Sequence, residues 1–456
     1  MNNDGHKAKY DMKKILFLTF VMVSVVASAV TRPKIYLNPG HGGWGPGDRP
    51  LPTIPYPMLE STGRPDTCGF YESNTNLWKI EELGRILKST KLFYVKYSRK
   101  ANGPYPWVDG ASDEEKYNRP LSVISAEVDA YRADYFISVH SNASSDGAIV
   151  NYPLFLYRGT DSDNGVKDIS RQMCEAMWPF HVEAMKAKFE FQNYYTNSKN
   201  VRGDRDFYHY TWTNSKGYEG YLGVLMHNCP GYLVEGYFHT YQPSRHRALN
   251  ADWCRMEGRR YARGIIDYFE KTPDSLGCIM GDVRCKSKST SGLEYYAYSE
   301  DSQDRYMPIN GATVRLKDND GQILKTYQVD NNYNGIFVFT DLTPGIYWIE
   351  LYCPGYRTVQ SKLSSLKHVV KANATSYKTH YMTVGNSTPL KPGTGIESVS
   401  EDTEETVAAD RVTVRLYDMS GQLVLTTTRR GLESCDVPAG VYIMESAGRT
   451  VKYYRK

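Results

Sequence analysis

The sequence predicts an α/β domain, with a mostly parallel sheet flanked by helices, followed by small all-β sandwich modules. Three observations carry this. Between residues 34 and 270, short β-forming runs alternate with helix-length amphipathic stretches, the pattern of a sheet covered on both faces. From about Ser275 the texture changes to short alternating strands separated by turns, a sandwich pattern. The chain has 456 residues, enough for about two to four domains.

The elements follow in order. Lys13 and Lys14 precede an apolar run, Ile15 to Val26, and then Ala27-Ser28-Ala29. This is the layout of a secretory signal with cleavage near Val30, and Met12 is an alternative start. The apolar run is short for a bilayer span. No other stretch is longer, so no stable membrane span is expected, and the mature chain is expected in the periplasm, at the cell surface or outside. Ile35, Tyr36 and Leu37 read as a strand broken by Asn38, Pro39 and Gly40. His41 then sits on a turn at a strand end, where open α/β sheets place ligand sites. Trp44 to Thr67, rich in Pro and Gly, reads as an insertion. Glu72 stands just before a helix marked by Leu77, Ile80, Leu83 and Leu87, with Asn74 or Thr75 as its cap. Leu92 to Tyr97 is the next strand. Asp134 to Val139 is another, ending in His140 and followed by Ser141-Asn142-Ala143.

Val166, Ile169, Met173, Met177 and Phe180 mark a further helix. Residues 190–220 form a second insertion, crowded with aromatics that include Tyr208, Tyr210, Trp212 and Tyr218. Long loops beside a site shape substrate access. Tyr232 to Phe238 is a strand carrying Glu235 in an apolar run. A last helix runs from about Leu249 to Phe269. Beyond it, strands are expected at Gly311–Leu316, Ile323–Val329, Gly335–Thr340 and Gly345–Tyr352. Residues 386–410 have the Ser/Thr/Pro/Gly-rich and then acidic composition of a linker. Arg411 to Lys456 returns to short strands.

Composition narrows the function. A net charge of +4 is too small to argue for nucleic acid. Tyrosine is abundant, at 38 copies against 14 phenylalanines; such surfaces suit carbohydrate contact and are also common on exported proteins. The eight cysteines include no CxxC pair, which argues against a cysteine zinc site. Cys278 and Cys285 are spaced to bridge locally.

Two histidines and two glutamates, each at an element boundary, suit a metal centre with a carboxylate beside it. Catalytic zinc takes three protein ligands and leaves one place for water. The spacing alone does not choose among ten histidines, and His227 and His239 are alternatives.

Family resemblance narrows this. NPGHGG (38–43), YESNTNLWKIEELGRILK (71–88), YFISVHSNAS (135–144) and YLVEGYF (232–238) resemble, in order, four blocks of the zinc-dependent N-acetylmuramoyl-L-alanine amidases of the type-3 family. The resemblance implies Zn2+ held by His41, Glu72 and His140, with Glu235 as catalytic carboxylate; Asn142, two residues after the second histidine, is a candidate substrate-binding residue. It implies peptidoglycan as partner and hydrolysis of the amide between the muramyl lactyl group and L-alanine. Asn38 departs from the usual Asp. The gap between His41 and Glu72 is long, which leaves Glu60 as a rival ligand. The alternatives are an inactive wall-binding protein and a different exported zinc amidohydrolase or peptidase. Residues 277–385 resemble a carboxypeptidase regulatory-like, transthyretin-like sandwich, through Asn-Gly-Ala, Gly-Ile-Phe and Pro-Gly-Ile-Tyr steps. Residues 411–456 resemble the sorting domain of type IX secretion cargo, through Asp418-Met419-Ser420-Gly421, Pro438-Ala439-Gly440-Val441-Tyr442 and a basic end. The expected domains are therefore 1–29 signal, 30–273 catalytic, 277–385 sandwich, 386–410 linker and 411–456 sorting domain.

Overall fold

The computed structural model describes residues 32–43, 48, 51–53, 69–103, 118–183, 200–272, 275–330, 332–360 and 362–390, and shorter stretches between 413 and 455. The signal segment, Glu60, Cys68, Tyr194, Tyr195, Cys435 and most of the linker lie outside these.

Six strands form the first sheet: β1 (Lys34–Pro39), β2 (Tyr94–Tyr97), β3 (Tyr135–Asn142), β4 (Leu154–Tyr157), β5 (Val201–Gly203) and β8 (Gly231–Phe238). Their order is β2-β1-β3-β8-β4-β5. All neighbours are parallel except β4 with β8. The central strands read as near-continuous apolar runs because both faces are covered. Ile35, Leu37, Ile137, Val139 and Val234 point to one face. There they meet α1 (Glu72–Thr90), α3 (Ser170–Glu183) and α6 (Ala251–Tyr268) through Leu83, Met173 and Ile265. Tyr36, Phe136 and Leu233 point to the other, against Ile124 and Val128 of α2 (Leu121–Tyr131). Helices α1 and α6 approach closely because Gly258 lies under the backbone of Lys79; a Cβ there would stand 1.9 Å from the Lys79 carbonyl oxygen.

The expected elements are present with shifted ends. Helix α1 begins at Glu72 itself, and no side chain of its own caps it. Thr75 is inside the first turn, its hydroxyl donating to the Glu72 carbonyl. The cap comes from far along the chain: Asp48 accepts the Ser73 N–H at 2.6 Å and its hydroxyl at 2.5 Å. The last helix is two helices, α5 (Gln242–Ala248) and α6, and Asn250 caps the second by accepting the Trp253 N–H. β3 runs on past Val139, so His140 lies within the strand rather than after it.

Beyond α6 all elements among the described residues are strands or single turns. The 13-residue β9 (Gly277–Ser289) is the spine of a second sheet, pairing with β10 (Tyr306–Pro308), β13 (Ile336–Leu342) and β16 (Thr375–Met382). A third sheet has the order β12-β11-β14-β15, from Ile323–Gln328, Thr313–Lys317, Gly345–Tyr352 and Lys367–Val370. Val283, Phe337, Leu316 and Ile349 share the core between these two sheets. A four-stranded sheet (β17–β20) lies between Thr413 and Arg455.

The β9 sheet is joined to the first sheet's helices by a common core, where Tyr237, Trp253 and Met256 pack with Cys278, Met280 and Ile336. Buried ions reinforce the junction: Arg247 and Arg284 reach Asp304 at 2.8 and 3.1 Å, and Tyr241 donates to its other oxygen at 2.7 Å. Cys278 and Cys285 do not bridge. Seven residues apart on one extended strand, they are about 23 Å apart by strand rise, beyond disulfide reach. All six described cysteines are free and buried. Among the described residues no helix is long and apolar enough to cross a membrane.

Candidate active site

Side-chain alternation decides which residues can meet. Asn38, His140 and Glu235 follow Tyr36, Phe136 and Leu233 at even intervals, so they share the α2 face of the sheet. His140 and Glu235 are register partners on neighbouring strands β3 and β8. His41 leaves the end of β1 with φ 59, the left-handed region. Gly40 makes room: a Cβ there would lie 2.1–2.4 Å from three atoms of the His140 ring.

Glu72, the first residue of α1 and 1% exposed, is the hub. Its Oε2 lies 3.0 Å from His41 Nε2 and its Oε1 lies 3.3 Å from His140 Nδ1. One donor atom from each of the three residues falls within 4.8 Å of the others. Oε1 also accepts the Ser141 N–H at 2.8 Å. Burial pushes the Glu72 carboxyl up, but the imidazoles of His41, His140 and His239 outweigh this and hold it well below the ordinary range. Burial lowers His140. The site thus presents an ionised carboxylate and a neutral imidazole, the protonation states that metal binding requires.

Arg99 ties the turn to the helix. Its guanidinium donates to the carbonyls of Pro39, Gly40 and Ser73 at 3.1, 2.8 and 3.1 Å. Asn38 bridges three strands, donating to Ser138 Oγ at 2.7 Å and accepting from Ser98 Oγ at 2.6 Å. Behind the site, Lys79 and Glu257 form a wholly buried ion pair at 2.9 Å. Lys79 also donates to the His140 carbonyl at 3.4 Å and lies 4.5 Å from the centre of the Tyr237 ring.

The other sequence candidates fall in different places. His239 stands beside the hub, 3.9 Å from Glu72 Oε2. It bonds Ser141 Oγ at 2.9 Å and stacks on Phe70. His227 is elsewhere, packed on Phe136, with Nδ1 accepting the Cys229 N–H. Asn142 is half-buried at the end of β3, with its side-chain oxygen accepting the Ala143 N–H. A cavity of about 450 Å³ opens beside His41 and His140, walled by Asn38, Arg119, Leu121, Leu222 and Gly223 among others.

Sequence reading missed Asp48, Lys79 and Glu257. The one available signal was Lys79 itself, three residues before Glu82 and two after Leu77 on a helix whose apolar face also carries Ile80.

A model of the N-acetylmuramoyl-L-alanine amidase family matches residues 35–267, which contain every residue of this site. The chain belongs to that family. Its members are amidohydrolases that act on peptidoglycan, and the enzyme class follows from membership. Solved structures with similarity include an N-acetylmuramoyl-L-alanine amidase from Clostridium difficile 630, 18% identical, with TM-score 0.36, covering 52% of this chain and 97% of that one. The catalytic domain of CwlV from Paenibacillus polymyxa is 16% identical, with TM-score 0.36, covering 53% and 99%. Cwp6 from Clostridium difficile is 21% identical, with TM-score 0.35, covering 52% of this chain and 29% of that one. A comparison with curated proteins found no match.

Proposed function

We propose that this amidase cleaves the amide joining the lactyl group of N-acetylmuramic acid to L-alanine in peptidoglycan, that His41, Glu72 and His140 hold zinc for it, and that Glu235 moves the protons. The observation that carries the reading is the convergence of two imidazoles and one buried carboxylate within 4.8 Å, with Glu235 in register beside His140. Two histidines and a glutamate are a known donor set of catalytic zinc. When bound, zinc polarises a carbonyl oxygen and makes water acidic enough to attack at neutral pH.

The chain's own residues do the rest. Glu235 accepts a proton as water adds to the lactyl carbonyl carbon. It then gives that proton to the alanine nitrogen as the C–N bond breaks, so the amine leaves neutral. Arg99 and Ser141 keep the His41 turn and the Glu72 carboxylate in place. Asn142 is assigned a contact to substrate, and Asn142→Ala is expected to raise KM more than it lowers kcat.

The test is digestion of purified sacculi with mass spectrometry of the products. New free L-alanine amino termini on released stem peptides, with the glycan strands left intact, are expected. His41→Ala, Glu72→Ala and His140→Ala are each expected to lose zinc and activity together. Glu235→Gln is expected to keep its zinc and lose at least about a hundredfold in turnover. Loss of zinc in Glu235→Gln would make it a ligand and overturn the assignment of roles.

The same proposal covers the flanking segments. The signal-like start supports export with cleavage near Val30. The two packed β-sheets of region 277–385 support a carboxypeptidase regulatory-like sandwich. The β17–β20 segment supports a type IX sorting domain joined by the 386–410 linker.

A further inference from the structure

The cavity beside His41 and His140 is walled in part by Leu222 and Gly223. These residues continue directly from a two-stranded ribbon, β6 (Trp212–Thr213) against β7 (Glu219–Gly220), which no proposed catalytic step uses. The ribbon and its flanks carry aromatic rings in the open. Tyr210 is 59% exposed, Trp212 38% and Tyr221 37%. Tyr208 stacks on Tyr221 with ring centroids 3.9 Å apart, and Tyr210 meets Tyr221 edge-on at 6.2 Å.

This aromatic ledge reaches the cavity. A Cβ built on Gly223 would lie 3.1 Å from Leu121 and 3.7 Å from Trp212 Cζ2, so the indole edge abuts the wall that Gly223 and Leu121 form. The ledge is also held in place. Trp212 Nε1 donates to the Tyr221 carbonyl at 2.8 Å. The backbone N–H groups of Tyr221 and Leu222 both donate to the buried carboxylate of Asp204, the first residue of α4 (Asp204–Tyr208), at 2.8 and 2.9 Å.

We propose that this ledge is a subsite for the sugar rings of the glycan strand. The identity of the polymer rests on the amidase reading; the capacity to bind sugar does not. A pyranose offers an apolar C–H face edged by hydroxyls. Tyr210 and Trp212 offer the complement, apolar ring faces, with the Tyr210 O–H at the rim; the Trp212 N–H is already used on the Tyr221 carbonyl. Exposed apolar patches of this kind mark ligand grooves, and a pre-ordered one loses little entropy on binding. Arg205 pairs with Glu219 at 3.3 Å and Lys216 with Asp129 at 2.8 Å, and Arg158 donates to the carbonyls of Glu219 and His227. The ledge therefore favours a neutral ligand over a charged one. In the proposed substrate the cleaved amide hangs directly from a sugar, so the strand must leave the cavity across one of its walls.

The probe is chitotetraose, a β-1,4-linked N-acetylglucosamine oligomer with neither lactyl group nor peptide, titrated calorimetrically into the full-length protein. Saturable binding is expected, weakened about tenfold in Trp212→Ala and about threefold or more in Tyr210→Ala. Circular dichroism checks that both variants are folded. With sacculi and muramoyl dipeptide as paired substrates, the ratio of kcat/KM on sacculi to kcat/KM on the single-sugar substrate should fall about tenfold in Trp212→Ala. Absence of chitotetraose binding to the wild type, or equal binding by Trp212→Ala, overturns the proposal even if the amide is cleaved. Binding of a sugar-free stem peptide at the ledge in place of chitotetraose also overturns it. Ledge-dependent sugar binding without amide cleavage upholds the subsite and sinks the amidase reading alone.

Discussion

Lys79→Met tests the buried support under the site. Methionine keeps the length of the lysine stem and removes the ammonium. The structure sets the magnitude. Lys79 and Glu257 are both fully buried and 2.9 Å apart. Without the ammonium, the Glu257 carboxylate keeps the Tyr261 hydroxyl at 2.6 Å but loses its ion-pair partner. Removing one partner of a buried pair costs about 3–5 kcal/mol, because the other charge is left uncompensated. The double variant Lys79→Met/Glu257→Gln removes the stranded charge and keeps an acceptor for Tyr261. It is expected to regain most of the loss, giving a positive coupling in a double-mutant cycle. Urea unfolding followed by tryptophan fluorescence measures both.

The acid side carries a second signature. Burial pushes Glu257 up, yet Lys79, His181, Arg260 and Tyr261 together hold it below the ordinary carboxylate range. A lowered carboxyl contributes stability that is complete above the ordinary glutamate value and is lost as pH falls through the folded value. In Lys79→Met the folded value rises, so this acid loss shrinks, and the cost of the substitution should diminish as falling pH protonates the stranded carboxylate. Because Lys79 also donates to the His140 carbonyl, zinc retention should fall alongside stability. A Lys79→Met cost under about 1 kcal/mol, or a double variant no better than the single one, would refute the reasoning.

Three further outcomes are expected. Burial lowers His181 and His227 to about 3, His246 to about 4, His368 to about 2 and His380 to about 3. The unfolded chain therefore takes up protons that the folded one refuses. Stability should be complete above about pH 6.5 and fall below it by about 1.4 kcal/mol per unit for each histidine; a flat urea midpoint between pH 7.5 and 5.5 would contradict this. Gly40→Ala should displace the His140 ring and weaken zinc binding at least about tenfold, so a variant that titrates with zinc like the wild type would show that the turn can yield. Deleting residues 411–456 should leave a folded enzyme that is not delivered to the surface; normal delivery would end the sorting reading and leave the catalytic one intact.

Part of the site was legible because the strand-like runs placed His41, His140 and Glu235 at or beside strands, and the motif blocks assigned these and Glu72 their expected roles. That Asn38, His140 and Glu235 share one face emerged only in the sheet, where β3 runs on through His140. What was not legible arises from burial of charge. Helix α6 reads as a half-exposed amphipathic helix, since Glu257, Arg259, Arg260 and Arg263 interrupt its apolar residues. In the fold all four are buried. The β9 sheet and α1 together cover these residues, and Asp341 from the sheet and Glu82 and Lys79 from α1 supply partners for Arg259 and Glu257. The expected caps Asn74 and Thr75 failed for a related reason: Asp48 reaches Ser73 from 25 residues earlier in the chain, and local sequence does not record such contacts.

The sequence by itself determined the alternation of strands and helices, because this follows from periodicity and local backbone preference, whereas the residues expected to meet at the site came from the resemblance of the motif blocks. The tertiary structure alone decided that His239 stands beside Glu72 while His227 does not. It also decided that Lys79 and Glu257 pair beneath His140, and that the aromatic ribbon of residues 212–220 ends at the cavity wall. Each of these depends on which surfaces pack together over long chain separations, and short-range pattern carries no record of that.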